Sequence, residues 1–193
     1  MDVGAGRRCK ILLISGSLRA GSVNSAVLKT LRALAVPPVV AQAYKGLGSL
    51  PHFNPDDDRE PLPEPVSQLR AQLAACDAVL FSTPEYAGAL PGSFKNLLDW
   101  TVGGGIYEKP VGWVNASCGG AKGTYEQLRT VLTYTGADIV GPACADIPVP
   151  RSAIEADGLV EDAALRQAMR RILDALVTRV EAQREKGPLA PRA

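Results

Sequence analysis

Apolar residues fall along the chain in two alternating rhythms, short unbroken runs and longer stretches at helical spacing. That alternation is the signature of strand–helix–strand units stacked around a parallel sheet. Lys10 to Ser15 (KILLIS) reads as a first strand buried on both faces. Val27, Leu28, Leu31 and Leu34 then repeat on one helix face. Val39 to Tyr44 is a second strand, and residues 45–65, rich in Gly, Pro and Asp, form a surface excursion. Val66, Leu69 and Leu73 mark a second helix that ends near Cys76. Asp77 to Thr83 (DAVLFST) is a third strand. The third helix starts at Pro91 as a first-turn residue and buries Phe94, Leu97, Leu98 and Thr101 or Val102. Pro110 to Ala116 is a fourth strand; Leu128, Val131 and Leu132 mark a fourth helix, closed by Gly136. Ile139 to Ile147 supplies a fifth strand, and the run from Leu165 through Met169, Ile172, Leu173 and Leu176 to Val180 an amphipathic fifth helix. No internal repeat interrupts this order.

Five strands alternating with five helices leave few topologies, because crossovers must be right-handed. The simplest is an α/β doubly wound five-stranded parallel sheet forming one domain over residues 1–193, with 186–193 as a flexible tail. In such sheets ligands bind beyond the carboxyl ends of the strands, where strand order reverses. The loops after strands one, three and four therefore carry the chemistry.

Composition narrows the classes. The 193 residues carry 21 Lys plus Arg against 20 Asp plus Glu, a formal charge of +1, so no basic field exists to hold nucleic acid. No apolar run approaches the length needed to span a bilayer, and the four apolar residues after Lys10 are too few for a signal peptide. Cys9, Cys76, Cys118 and Cys144 lie far apart, and His52 is the only histidine, which leaves too few ligands for zinc. Reduced, buried thiols and a cytoplasmic location are expected.

The loop Ser15-Gly-Ser-Leu-Arg-Ala-Gly-Ser-Val-Asn-Ser25 packs four hydroxyls, one amide and one guanidinium ahead of a helix N-terminus. That set suits a terminal phosphate best; the plainer alternative is Ser22 capping the helix within a polar turn. It is neither a Walker A loop nor a G-x-G-x-x-G fingerprint. In Thr83-Pro-Glu-Tyr-Ala-Gly-Ala-Leu-Pro-Gly92 the prolines stiffen the backbone, and Tyr86 offers a flat face for a heterocycle or else lies on the surface of a turn. Ala116-Ser-Cys-Gly-Gly-Ala-Lys-Gly-Thr124 has three glycines that let a ligand approach the main chain. Cys118 has no histidine to activate it and is expected to be a partly buried thiol; His52 is expected to serve the loop or an interface. No G-x-S-x-G elbow supports a hydrolase.

Taken together, GSLRAGSVN, PEYAGALPGSFKNLLDW and KPVGWVNASCGGAKG resemble the NADPH-dependent FMN reductase family, in matching order from about Lys10 to Gly141. The resemblance implies a flavodoxin-like fold with strand order 2-1-3-4-5. It also implies an FMN-dependent oxidoreductase that takes hydride from NADPH or NADH and passes electrons by a ping-pong cycle to a small acceptor such as a quinone, free flavin, azo compound or metal oxyanion. By position, Ser17, Arg19, Ser22, Asn24 and Ser25 would hold the FMN phosphate. Pro84, Glu85, Tyr86 and Ala87 would border the isoalloxazine, largely through their main chain, and Ser117, Gly119 and Gly120 its pyrimidine side. No catalytic side chain and no metal is implied, and homodimers or homotetramers are. Ala87 stands where many relatives have Asn, so one side-chain contact to the flavin is missing. A flavodoxin-type electron carrier without substrate turnover is the alternative, set against by the lack of a strongly acidic surface. A non-redox phosphate-binding domain on the same fold is the third reading.

Overall fold

The computed structural model describes residues 8–103 and 105–186. Five parallel strands stand in the order β2-β1-β3-β4-β5: β1 (Cys9–Ser15), β2 (Val39–Ala43), β3 (Ala78–Ser82), β4 (Pro110–Asn115) and β5 (Asp138–Asp146). This is the flavodoxin-like doubly wound arrangement. Between them run α1 (Val23–Leu34), α2 (Glu64–Ala75), α3 (Gly92–Asp99) and α4 (Lys122–Tyr134), and α5 (Ala163–Lys186) follows the last strand.

The unbroken apolar runs of the central strands are explained by burial on both faces. One layer, under α1 and α5, gathers Ile11, Leu13, Leu80 and Val114 with Val27, Leu31, Met169 and Leu176. The other, under α2, α3 and α4, gathers Leu12, Ile14, Val79 and Phe81 with Leu69, Phe94, Leu97 and Leu128. Alternate residues of one strand serve opposite layers, as the period of two demands. Register is set the same way: Ile11 to Ser15 pair one for one with Ala78 to Ser82.

Several expectations shift. Pro91 is the residue before α3 rather than its first helical residue, and its carbonyl accepts from Phe94 and Lys95 N–H. Thr101 is buried, its Oγ1 donating to Leu98 O, whereas Val102 is half exposed. Residues 45–65 do not simply lie on the surface. Leu47 is buried, Leu50, Phe53 and Leu62 pack on the core, and Trp100 Nε1 donates to Pro51 O at 2.9 Å. These scattered apolar residues have no period and so gave no signal. Gly136 sits at φ 68 just past α4, where Ala137 N–H reaches back to Leu132 O, the expected C-terminal closure. Opposite Gly112, β5 slips register around Gly141-Pro142, whose ring cannot donate to a ladder. A side chain at Gly112 would sit 2.5 Å from Ala143 O. Lys186 closes α5, so the expected tail begins no earlier than Gly187, and it lies outside the described residues.

The strand order reverses between β1 and β3. Their carboxyl ends, Ser15 beside Ser82, open onto one rim with the end of β4.

Candidate functional site

The loop between β1 and α1 is organised by its own hydroxyls. Ser17 N–H donates to Ser15 Oγ at 3.2 Å, and Arg19 N–H to Ser17 Oγ at 3.2 Å. Ser22 is the N-cap of α1, accepting from Ser25 N–H at 3.1 Å, while its own hydroxyl donates to Ser25 Oγ at 3.1 Å. The first-turn N–H groups of Val23 and Asn24 have no partner among the described residues, so α1 presents free donors and its positive dipole end to the rim. Gly16 is obligatory here: a Cβ would lie 2.1 Å from Thr83 Oγ1, and this close approach seats the loop against the end of β3. Asn24 is buried, its Oδ1 accepting from Ser82 Oγ at 2.8 Å. Arg19 is exposed and forms no ion pair with a described residue.

After β3 the chain turns sharply. Tyr86 and Ala89 exchange both main-chain hydrogen bonds at 3.1 Å across Ala87 and Gly88, which have φ 52 and 74. Two positive φ values in a two-residue turn are the I′ pattern. Alanine fits that region poorly and asparagine better, so Ala87 costs about 1 kcal/mol of local strain. This loop is bolted to α4. Glu85 Oε2 accepts from Thr124 N–H at 2.9 Å, Thr124 Oγ1 donates to Ala89 O at 2.8 Å, and Leu90 N–H donates to Gln127 Oε1 at 3.2 Å. The N-cap of α4, Ala121, makes no side-chain cap bond, and its first turn holds no acid, so Glu85 caps the helix from another loop.

Two residues that sequence reasoning passed over hold the rim together. The buried Tyr125 hydroxyl donates to Val114 O at 2.7 Å and accepts from Thr83 N–H at 3.2 Å, joining the ends of β3 and β4 to α4. Burial pushes its ionisation well above the ordinary 10.0. Asn115 Oδ1 accepts from Ser117 N–H at 3.1 Å, and its Nδ2 donates to Asp146 Oδ1 at 2.8 Å and to Gly120 O. Ser117 Oγ in turn accepts from Gly119 N–H at 3.2 Å. Both are one-residue signals whose meaning depends on contacts distant in sequence.

These loops enclose a cleft of about 610 Å³, within the range of about 300–1,000 Å³ typical of cofactor sites. Ser17, Arg19, Ser22 and Asn24 line one end, and Pro84, Glu85, Tyr86, Ser117 and Gly119 the other. Ser25, Ala87 and Gly120 belong to the same loops but do not line the cleft: Ser25 is bound to Ser22, and Ala87 and Gly120 are turn residues. Tyr86 is 52% exposed, on the cleft wall. Cys118 also lines the cleft and is exposed, not partly buried, because the turn at Ser117–Gly120 lifts it off the sheet. Cys9 and Cys76 are buried as expected, Cys144 is half-buried, and His52 is exposed. Val149, Pro150 and Arg151 form a further wall that the sequence did not suggest. No group of three His, Cys, Asp or Glu among the described residues could hold a metal ion.

The donor set fits FMN. Serine hydroxyls, a guanidinium and a free helix N-terminus suit a phosphate monoester, and main chain rich in glycine beside Tyr86 suits a flat heterocycle. Glu85, the one carboxylate lining the cleft among the described residues, is turned to α4.

Comparison with known proteins agrees with this chemistry. The model of the family described as NADPH-dependent FMN reductase matches residues 9–147. An NAD(P)H-dependent FMN reductase of Pseudomonas aeruginosa is 33% identical over 86% of this chain and 92% of its own length. A 2-hydroxy-1,4-benzoquinone reductase of Burkholderia sp. is 30% identical over 86% of this chain and 92% of its own. The solved flavoenzyme NAD(P)H:(acceptor) oxidoreductase FerB of Paracoccus denitrificans superposes with a TM-score of 0.74 at 28% identity, covering 90% of this chain and 98% of that one.

Proposed function

The chain belongs to the NADPH-dependent FMN reductase family, and from that premise we propose that it uses FMN, held in this cleft, to carry reducing equivalents from NAD(P)H to small acceptors such as quinones, one substrate at a time. The observation that carries the reading is the cleft itself: an anion-seeking end at α1 and a flat, main-chain-lined end at β3 and β4, on the rim where strand order reverses.

Bound FMN supplies the hydride chemistry, accepting from the nicotinamide and giving to the acceptor. The chain's own residues bind and orient. Ser17 and Arg19, with the free N–H groups of Val23 and Asn24, would hold the phosphate, while Ser22, its hydroxyl given to Ser25, caps α1 and keeps those N–H groups in place. Main chain from Pro84 to Tyr86 and from Ser117 to Gly119 borders the ring, kept in place by Tyr125, Asn115 and the bolts to α4. Glu85, engaged by Thr124 N–H, would fix the loop that borders the ring to the first turn of α4. Cys118 has no base within its loop and takes no part. Nicotinamide and acceptor both have to reach the flavin held in this cleft, so they share the same space in turn.

The same reading places the protein in the cytoplasm, which suits four free cysteines, and makes it a homodimer or homotetramer, as the resemblance implies. Initial rates with NADPH and a soluble quinone test the sequential use of the cleft. Parallel double-reciprocal lines are expected, with excess quinone competing against NADPH; intersecting lines would require a ternary complex and overturn the shared space. A flavin that NADPH leaves oxidised would point instead to an electron carrier.

A further inference from the structure

The cleft's remaining wall lies beyond the part of the chain that the family model reaches. That match ends at residue 147, and Val149, Pro150 and Arg151 come immediately after. The segment is firmly placed. Ile147 N–H donates to Asn115 O at 2.8 Å and Val149 N–H to Ala116 O at 3.1 Å, which stitches it to the root of the loop after β4. Pro150 then leads a single 3₁₀ turn, Arg151–Ala153. Ala153 and Ile154 pack on the same apolar layer as Val23, in the first turn of α1. Arg151 therefore stands on the rim on the α1 side of the sheet, between the loop after β4 and the N-terminus of α1.

Charge decides what it meets there. The Arg151 side chain is exposed and makes neither ion pair nor hydrogen bond with a described residue, and the same holds for Arg19. Glu85, the cleft's only carboxylate among the described residues, is engaged with Thr124 N–H. Two unengaged guanidinium groups in one cleft thus face no internal counter-charge. A phosphate monoester carries roughly −1.5 to −2 near neutral pH, more than one arginine balances. Arginine forks suit its oxygens, and charge-assisted bonds of this kind are the strong ones.

We propose that Arg151 is a second phosphate-binding residue, closing over the FMN phosphate from the side opposite Arg19, so that this chain holds the group by a two-arginine clamp. The proposal rests on the FMN reading of the cleft.

Equilibrium titration by flavin fluorescence, with FMN and riboflavin in parallel, separates the two claims. The wild-type protein should bind FMN far more tightly than riboflavin; equal affinities would refute the phosphate reading itself. Arg151→Ala should weaken FMN about tenfold or more while leaving riboflavin unchanged, and Arg151→Lys should recover part of the loss. The unchanged riboflavin affinity controls for folding. The salt dependence of FMN binding should also flatten in Arg151→Ala, since fewer charges are compensated. An FMN dissociation constant within twofold of wild type would overturn the clamp while leaving the cofactor assignment standing. A rise confined to the KM for NADPH would assign Arg151 to the nicotinamide nucleotide and equally overturn it.

Discussion

Removing the Glu85 carboxylate should destabilise the protein through α4, a helix that Glu85 does not belong to. Thr124 N–H, in the first turn of α4, donates to Glu85 Oε2 at 2.9 Å, and α4 has neither a capping side chain at Ala121 nor an acid in its first turn. In Glu85→Ala both the acceptor and the charge are lost. Loss of a helix cap costs about 0.5–2 kcal/mol. A partly buried charge at a helix end adds about 0.3–2 kcal/mol. Glu85 is half-buried, which places the sum for Glu85→Ala at about 1.5–2.5 kcal/mol. Glu85→Gln keeps an oxygen in reach of Thr124 N–H and loses only the charge, for about 0.5–1 kcal/mol. In a domain of this size each kcal/mol lowers Tm by about 2–4 °C, so the alanine variant should melt roughly 3–10 °C lower and the glutamine variant roughly 1–4 °C lower. Urea unfolding of the flavin-free protein, followed by far-UV circular dichroism, measures the three chains under one condition. A glutamine variant as unstable as the alanine variant would refute the division into acceptor and charge, and two variants within 0.3 kcal/mol of wild type would refute the cap altogether.

Tyr125→Phe strands Thr83 N–H at the end of β3 and should cost about 1–3 kcal/mol in urea unfolding, with weaker FMN binding beside it; unchanged stability would mean that the hydroxyl does not join the strand ends. Of the four thiols only Cys118 should react promptly with a disulfide reagent at pH 8, because burial raises Cys9 and Cys144 to about 11 and also raises Cys76. Cys118→Ser should abolish that fast phase, and a fast phase that survives would refute the burial of the other three. Because Cys9 and Cys144 hold their protons more tightly when folded, their contribution is fully present below the ordinary 9.0 and is lost as pH climbs from 9 through 11. Thermal melts should therefore be flat from pH 7 to 9 and fall beyond it, and a Tm that rises above pH 9 would contradict the sign.

How far the sequence carries is decided by distance along the chain. The layers were readable because Ile11 to Ile14 form an unbroken apolar run and Met169 to Val180 repeat at helical spacing, and the parallel sheet followed from alternation and crossover handedness, its strand order from the family resemblance. The loop proposed for the phosphate stood out as an anion-seeking cluster because Ser17, Arg19 and Ser22 lie together in six residues. What stayed hidden involves partners far apart. Glu85 looks like a residue bordering a ligand until Thr124 is brought to it, Asn115 looks like a strand end until Asp146 arrives, and Arg151 is one arginine among many until the extension of β5 is stitched to Ala116. Cys118, expected to be partly buried, is exposed because a glycine-rich turn raises it off the sheet, a backbone path that composition alone does not disclose.

The most direct test of the central claim is the visible spectrum of the purified protein saturated with FMN, recorded without oxygen before and after one equivalent of NADPH and again after one equivalent of a soluble quinone. The bound flavin absorbance should bleach with NADPH and return in full with the quinone, and should do neither in an equimolar mixture lacking the protein. A protein that binds no FMN, or whose bound FMN keeps its oxidised spectrum in excess NADPH, would contradict it.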